Sequence, residues 1–215
     1  MSLSTSSKSC RRSNCRQSDC PCNQTVLTRS LNRDLLTLKS QSYFSDFIIQ
    51  VGECIYPVHR SVLAARSNVF LTMFQQQDTI EITNSCLMLN DYNPSSIDLF
   101  LQYLYSDTCI FNDEKKAEEI LELADKYHVE SLKVLAEDYF ILTKENCIRL
   151  LILADRHTAT RLKDLALKFI NHNLTQIFSE TGPADWLTFR QTYSNLVADL
   201  YEKALNLQAI LLIKR

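Results

Sequence analysis

Leu27, Leu31, Leu35 and Leu38 recur at i, i+4, i+8 and i+11, with Arg29, Asn32, Arg33 and Lys39 between them. That spacing predicts an amphipathic helix with one apolar stripe. Two strand-like runs follow, Asp46–Val51 and Cys54–His59, and the two residues Gly52-Glu53 between them predict a hairpin. Residues 61–74 return to helical spacing through Val62, Leu63, Val69, Phe70 and Phe74. Thr79–Thr83 sets Ile80 and Ile82 between polar neighbours, which predicts a strand that Leu87–Leu89 extends into the sheet. Asn93-Pro94 predicts a helix start, with Asn as cap and Pro in the first turn.

From Thr108–Phe111 onward the chain reads as consecutive helices to Leu174. Their apolar faces are Ala117, Ile120, Leu121, Ala124 and Tyr127; Leu132, Leu135, Ala136 and Tyr139; Ile148, Leu151 and Leu153, capped by Thr143; and Leu162, Leu165, Ala166, Phe169 and Ile170. Thr181-Gly182-Pro183 predicts a break, followed by helices around Trp186–Phe189 and Ser194–Leu205. Ala124-Asp125-Lys126-Tyr127-His128 is echoed by Ala154-Asp155-Arg156-His157, too short a match to establish a repeat array. The fold class is α+β, a small sheet ahead of a long helical array.

Composition narrows what such a fold does. Gly52 and Gly182 are the only two glycines in 215 residues, so no glycine-rich phosphate loop can be written. Residues 1–33 hold six basic side chains against Asp19, a net of +5, while the remainder carries 17 basic and 24 acidic residues. An acidic body does not attract phosphate backbones, so nucleic acid is not an expected partner. No apolar run approaches the roughly 20 residues of a membrane span, and no secretory leader is evident. The expected location is intracellular, nucleus and/or cytoplasm, with no membrane contact. Cys54, Cys86, Cys109 and Cys147 lie singly in apolar surroundings, as reduced core thiols do. Cys10, Cys15, Cys20 and Cys22 crowd a Ser/Arg-rich start, residues 1–24, that cannot bury enough surface to order itself. Their spacing lacks the paired pattern of a zinc site, so neither metal nor cofactor is expected, and these thiols are read as unstructured rather than as zinc ligands or lipidation sites.

Phe44-Ser45-Asp46-Phe47-Ile48-Ile49, then Tyr56-Pro57-Val58-His59-Arg60-Ser61-Val62-Leu63-Ala64-Ala65-Arg66-Ser67-Asn68-Val69-Phe70, resembles a BTB/POZ domain in residues and order. Glu122-Leu123-Ala124-Asp125-Lys126-Tyr127 is similarly placed. More narrowly, the chain looks like the C-terminal half of the speckle-type POZ (MATH–BTB) family. Leu150-Leu151-Ile152-Leu153-Ala154-Asp155-Arg156-His157 resembles that family's 3-box, and Asn195-Leu196-Val197-Ala198-Asp199-Leu200-Tyr201 its BACK-type segment. The resemblance divides the chain into a tail (1–24), a BTB/POZ domain with an N-terminal dimerisation helix (25–141), 3-box/BACK-like helices (142–205) and a C-terminal tail (206–215).

That resemblance implies a dimeric substrate adaptor or modulator of a cullin-3 ubiquitin ligase, with catalysis left to other subunits. Partners are a second copy or a related BTB protein, cullin-3, and an unidentified protein substrate. Leu31, Leu35 and Leu38 match dimer-interface leucines, and Asp46 and Arg60 match a charged pair at the same seam. Met73, Phe74, Gln75, Gln77, Asp78, Tyr127, Leu151 and Leu153 are the residues expected to face the cullin, and Tyr201 matches a second self-association surface. Two departures stand out. The segment Gln75-Gln76-Gln77-Asp78-Thr79 is short and lacks the family's hydrophobic-x-Glu element, and no MATH domain is expected ahead of residue 25. The alternative is a BTB scaffold or transcription-related oligomerisation protein that binds no cullin. An enzyme is not expected. No histidine or cysteine sits in a nucleophile motif, and neighbouring carboxylates such as Glu118-Glu119 point apart on a helix.

Overall fold

Two residues close the hairpin between β1 (Phe47–Val51) and β2 (Cys54–Val58). Gly52 has φ +57 and Glu53 does not go positive, the type II′ arrangement that matches strand twist. β3 (Cys86–Met88) lies on the other side of β1 and runs parallel to it, giving the order β2-β1-β3. Ile48 donates its N–H to Ser85 and the carbonyl of Gln50 accepts from Leu89, so these residues face β3. Pro57, opposite Ile48, therefore turns its missing N–H to the outer edge of β2, the position an edge strand tolerates. The computed structural model that shows this describes residues 30–76, 80–181 and 183–213.

Helices surround the inner face of the sheet: α1 (Leu31–Gln41), α2 (Arg60–Arg66), α3 (Asn68–Gln75), α4 (Ile80–Thr83), α5 (Pro94–Ser106), α6 (Glu114–Lys126) and α7 (Glu130–Tyr139). Phe47, Ile49, Val58, Leu63, Phe70, Ile97, Phe100, Leu101, Ile120 and Leu121 are fully or almost fully excluded from solvent in one core. Each such side chain is worth about 1.5–3 kcal/mol of transfer free energy. Asn93 caps α5 by accepting from Ser95, with Pro94 in its first turn, as its sequence predicts.

Two local expectations are corrected. Ile80–Thr83 is a short helix, not a strand; two isoleucines with period two are too few to separate strand from helical turn, and Ser85 at φ 50 closes it before β3 begins. The helix over 61–74 is split at Ser67, which is extended (φ −147) and accepts the N–H of Phe70 as a cap while donating its hydroxyl to the Tyr127 carbonyl.

Beyond residue 146 come α8 (Cys147–Arg156), α9 (Thr160–His172), α10 (Leu174–Thr181), α11 (Pro183–Thr192) and α12 (Ser194–Ile213), built round a second core of Cys147, Leu151, Ala166, Ile170, Phe189 and Leu196. α10 was not expected, and α12 runs through position 205, where a tail was. Thr143 and Asn146 cap the entry to α8 reciprocally, each side chain accepting the other's backbone N–H.

The short echo is structurally deep. α6–α7 and α8–α9 are two helical hairpins offset by 30 residues, joined by turns in which His128 (φ 50) and Thr158 (φ 49) are left-handed. Val129 donates to the Ala124 carbonyl at 2.8 Å, and Ala159 to that of Ala154 at the same distance. Lys133 pairs with Asp125 at 2.6 Å and Lys163 with Asp155 at 2.7 Å. The chain matches itself at Ala124/Ala154, Asp125/Asp155, Leu132/Leu162, Lys133/Lys163, Leu135/Leu165 and Ala136/Ala166. Thr158 bridges the copies, donating its hydroxyl to Asp125 and accepting from Lys133, each at 2.8 Å. Lys163 likewise reaches on to Asp199 of α12 at 2.7 Å.

Candidate interaction surfaces

α1 is half amphipathic support and half free surface. Leu35 and Leu36 pack on the core, Leu38 is half-buried, and Leu31 is 70% exposed. Asn32 donates to the Ser106 carbonyl at 2.8 Å and Lys39 pairs with Asp98 at 2.6 Å, which fixes the helix against α5. The turn after α1 presents Tyr43 and Phe44, the latter 92% exposed at φ 59. Buried His59 holds that turn. Tyr105 accepts the His59 backbone N–H, so its own proton goes to Nδ1, leaving Nε2–H to donate to the Tyr43 carbonyl at 2.6 Å. Burial pushes the Tyr105 phenol up to about 12, so the hydroxyl stays a donor over the working pH range. The exposed Tyr43–Phe44 pair is therefore a pre-set apolar surface at the opposite end of α1 from Leu31, and a lone Phe in a Ser-rich stretch was its only sequence signal.

Asp46 and Arg60 do not form the expected pair of opposite charges. Asp46 accepts the backbone N–H of Arg60 at 2.8 Å and so caps α2. The guanidinium turns away, donating to Ser85 at 2.9 Å and lying over the Phe47 and Phe74 rings at 5.2 and 5.7 Å. A half-buried cation finds two aromatic faces closer than an exposed carboxylate.

The residues expected to face a cullin are dispersed. Gln77 and Asp78 lie outside the described residues, and Gln75 is exposed. Met73 and Phe74 are half-buried; Phe74 meets Phe47 edge-on at 5.0 Å and stacks with Phe70 at 6.0 Å. Tyr127 is a correction: it is buried in the first core, parallel to Phe70 with ring centroids 4.5 Å apart, and burial pushes its hydroxyl well above the usual phenol value. Leu151 is likewise corrected, buried in the second core. Only Leu153 reaches a surface cleft, a groove of about 350 Å3 lined by Glu118, Ile148, Arg149, Ile152, Leu153 and Arg156. Arg149 bridges Glu114 and Glu118 of α6 across one end of it, a link the sequence did not suggest. Tyr201 is 71% exposed on α12, whose position is held by the Lys203–Asp164 and Lys163–Asp199 pairs.

His157 sits at the junction of the two hairpins, its Nδ1 4.0 Å from Asp125. Burial holds its imidazole below the ordinary histidine value, against the pull of Glu122 and Asp125. The unfolded chain then takes up this proton before the folded one, so stability is lost as pH falls from the ordinary histidine value through the depressed one. His157→Gln is expected to flatten that loss in melting temperatures measured between about pH 7 and 5.

Cys54 is exposed, contrary to expectation, Cys86 and Cys109 are intermediate, and Cys147 is buried; all four are free thiols. Cys10, Cys15, Cys20 and Cys22 lie outside the described residues. Among the described residues no cluster of His, Cys, Asp or Glu converges as metal ligands would, and no helix is long and apolar enough to cross a membrane.

Residues 35–144 match the family model of the BTB/POZ domain. Protein maternal effect lethal 26 of Caenorhabditis elegans is 33% identical over 177 residues, covering 81% of this chain and 44% of that protein. TD and POZ domain-containing protein 1-like of Mus musculus is 32% identical over 181 residues, covering 83% and 48%. The chain thus spans about half the length of the curated relatives it matches. Among solved structures, the BTB domain of zebrafish PATZ1 is similar at TM-score 0.43 and 21% identity, over 50% of this chain and 85% of that one.

Proposed function

The chain belongs to the BTB/POZ domain family, whose members are protein–protein interaction modules, and from that premise we propose that it serves as a dimeric adaptor or modulator of a cullin-3 ubiquitin ligase. The observation that carries the reading is the α8–α9 hairpin, which follows the BTB/POZ domain directly and whose sequence, Leu150 to His157, resembles the 3-box of speckle-type POZ relatives. The similarity to both curated relatives extends over more residues than the BTB/POZ family model matches, which supports including the helical extension in the functional unit.

Self-association is assigned to the α1 face. Leu31 and the Tyr43–Phe44 turn are exposed and apolar, the turn held by His59 and α1 by its Asn32 and Lys39 contacts to α5, so little ordering is required when a second BTB chain covers them. Leu31→Asp combined with Phe44→Ser is expected to convert the dimer to a monomer in sedimentation equilibrium, with melting of the monomer unit unchanged. The cullin is assigned to the Gln75 end of α3 and to the α8 groove. Met73 and Phe74 cannot supply a projecting hydrophobe without leaving the core, so this contact relies on α8 more than the family pattern implies. Calorimetry of the full chain with the N-terminal domain of cullin-3 is expected to show micromolar binding, about −8 kcal/mol. A folded dimer that binds no cullin would overturn the adaptor reading and leave an oligomerisation scaffold.

A further inference from the structure

We propose that Tyr105, buried in α5, is a positioning residue for self-association: its hydroxyl fixes the tautomer of His59, and His59 in turn fixes the turn that presents Phe44. The proposal rests on the reading that a second chain covers the α1 face, and it adds how the core sets that face.

Residues 42–45 make a costly turn. Ser42 (φ 53) and Phe44 (φ 59) are both left-handed, a conformation that serine or phenylalanine keeps only when its surroundings over-determine it. The turn's own bonds are too long to do this: 3.3 Å from the Ser42 N–H to the Lys39 carbonyl, and 3.4 Å from the Ser45 N–H to the Ser42 carbonyl. Nor do the Tyr43 and Phe44 side chains anchor it, being 56% and 92% exposed. What remains among the described residues is the carbonyl of Tyr43, between the two strained positions, which accepts from Nε2 of His59 at 2.6 Å.

A neutral imidazole serves that carbonyl in one tautomer only. A carbonyl oxygen accepts and cannot donate, so Nε2 carries the proton and Nδ1 is an acceptor. Tyr105 supplies the matching donor. Its oxygen lies 2.7 Å from Nδ1 and accepts the His59 backbone N–H at 2.9 Å, which leaves its own proton for the ring. Without this hydroxyl, Nδ1 faces no donor and the imidazole is free to hold its proton there instead. Nε2 then turns a lone pair on the Tyr43 carbonyl, and the turn loses its support. Self-association feels the loss, because Phe44 must then be ordered during binding rather than before it.

A competing role for Tyr105 is support of the core alone, through its ring, 5.8 Å from that of His59, and its two hydrogen bonds. Tyr103 of α5 gives the comparison. It is almost as buried, and it donates its hydroxyl to Ser131 of α7 at 2.8 Å, away from the turn.

The test is sedimentation equilibrium of the full chain, with thermal melting of the same samples to show that each variant is folded. Tyr105→Phe is expected to raise the dimer dissociation constant about tenfold. Tyr103→Phe is expected to lower the melting temperature and leave that constant unchanged. Phe44→Gly removes both the side chain to be placed and the strain to be held. It is expected to weaken the dimer by itself and to leave Tyr105→Phe without further effect. An unchanged constant in Tyr105→Phe, an equal rise in Tyr103→Phe, additive effects of Tyr105→Phe and Phe44→Gly, or a Tyr105→Phe chain that does not fold would overturn the proposal. A dimer that Phe44→Gly weakens and Tyr105→Phe does not would reject the proposal and keep the α1 face. A wild-type chain that is monomeric, or a dimer that Phe44→Gly leaves intact, would reject the face and the proposal together.

Discussion

Replacing Tyr127 with alanine is expected to lower the unfolding free energy by about 3–5 kcal/mol, the range for removing a large aromatic side chain from a core. Its ring lies between Phe70, stacked at 4.5 Å, and Phe100, at 5.5 Å, so the cavity would be lined by groups that cannot all close on it. Tyr127 was expected to face the cullin, and that would predict a different outcome, weaker binding with unchanged stability. Tyr127→Phe separates the cases further. The Tyr127 hydroxyl has no hydrogen-bond partner among the described residues, so phenylalanine should retain nearly full stability. Urea denaturation of the three proteins distinguishes these readings, provided the slopes agree.

Lys133→Met is expected to cost about 2 kcal/mol, less than severing a fully buried ion pair because Asp125 keeps some solvent. Burial alone would raise the Asp125 carboxyl. The hydrogen bonds from Lys133 and Thr158, with the charges of Lys133 and His157, outweigh it and hold the carboxyl below the usual range. The sign follows. Asp125 in the unfolded chain protonates first on acidification, so its stabilisation is complete above the ordinary carboxylate value and is lost as pH falls through the depressed one. In Lys133→Met most of the depression disappears and the acid transition should move to higher pH. Thermal unfolding of both proteins on a descending pH series measures it. A matching acid transition in the two would mean that Thr158 alone sustains the junction.

The stronger periodicities were legible in the sequence. The Leu/Ala faces of α6 to α9, the Gly52 turn and the Asn93-Pro94 cap each combine a pattern with a local physical cause, and the structure follows them except at Leu135 and Leu165, which are exposed. Ile80 and Ile82 did not suffice because two residues satisfy both periods. α10 was not foreseen because Leu174, Ile177 and Phe178 are too few to set a helical period, although Asn173, whose carbonyl accepts from Gln176 and Ile177, is a favoured cap residue. The interaction residues were less legible for a different reason. A resemblance transfers positions, whereas partner contact depends on which way a side chain turns. Tyr127 and Leu151 turn into cores, and Arg60 prefers two aromatic rings to Asp46. The Arg149 bridge joins residues 31 and 35 positions apart, a pairing that no local pattern can announce.

A chain with so few glycines has had to bend without them. Ser42, Phe44, Ser85, Asp107, His128 and Thr158 all hold left-handed backbone that side chains disfavour, at a cost on the order of 1 kcal/mol each. Such strain marks stability that the fold could hold but this sequence does not claim, the usual condition of proteins selected only to remain above a threshold. The two helical turns at His128 and Thr158 differ in how freely that reserve can be drawn. Thr158 is tied to Asp125 and Lys133, so relaxing its backbone would sacrifice a junction. His128 has no such tie among the described residues. Thermal hardening of this protein therefore has an unequal map. The first of its two matched turns is open to change, and the second is committed to keeping the two halves of the molecule in register.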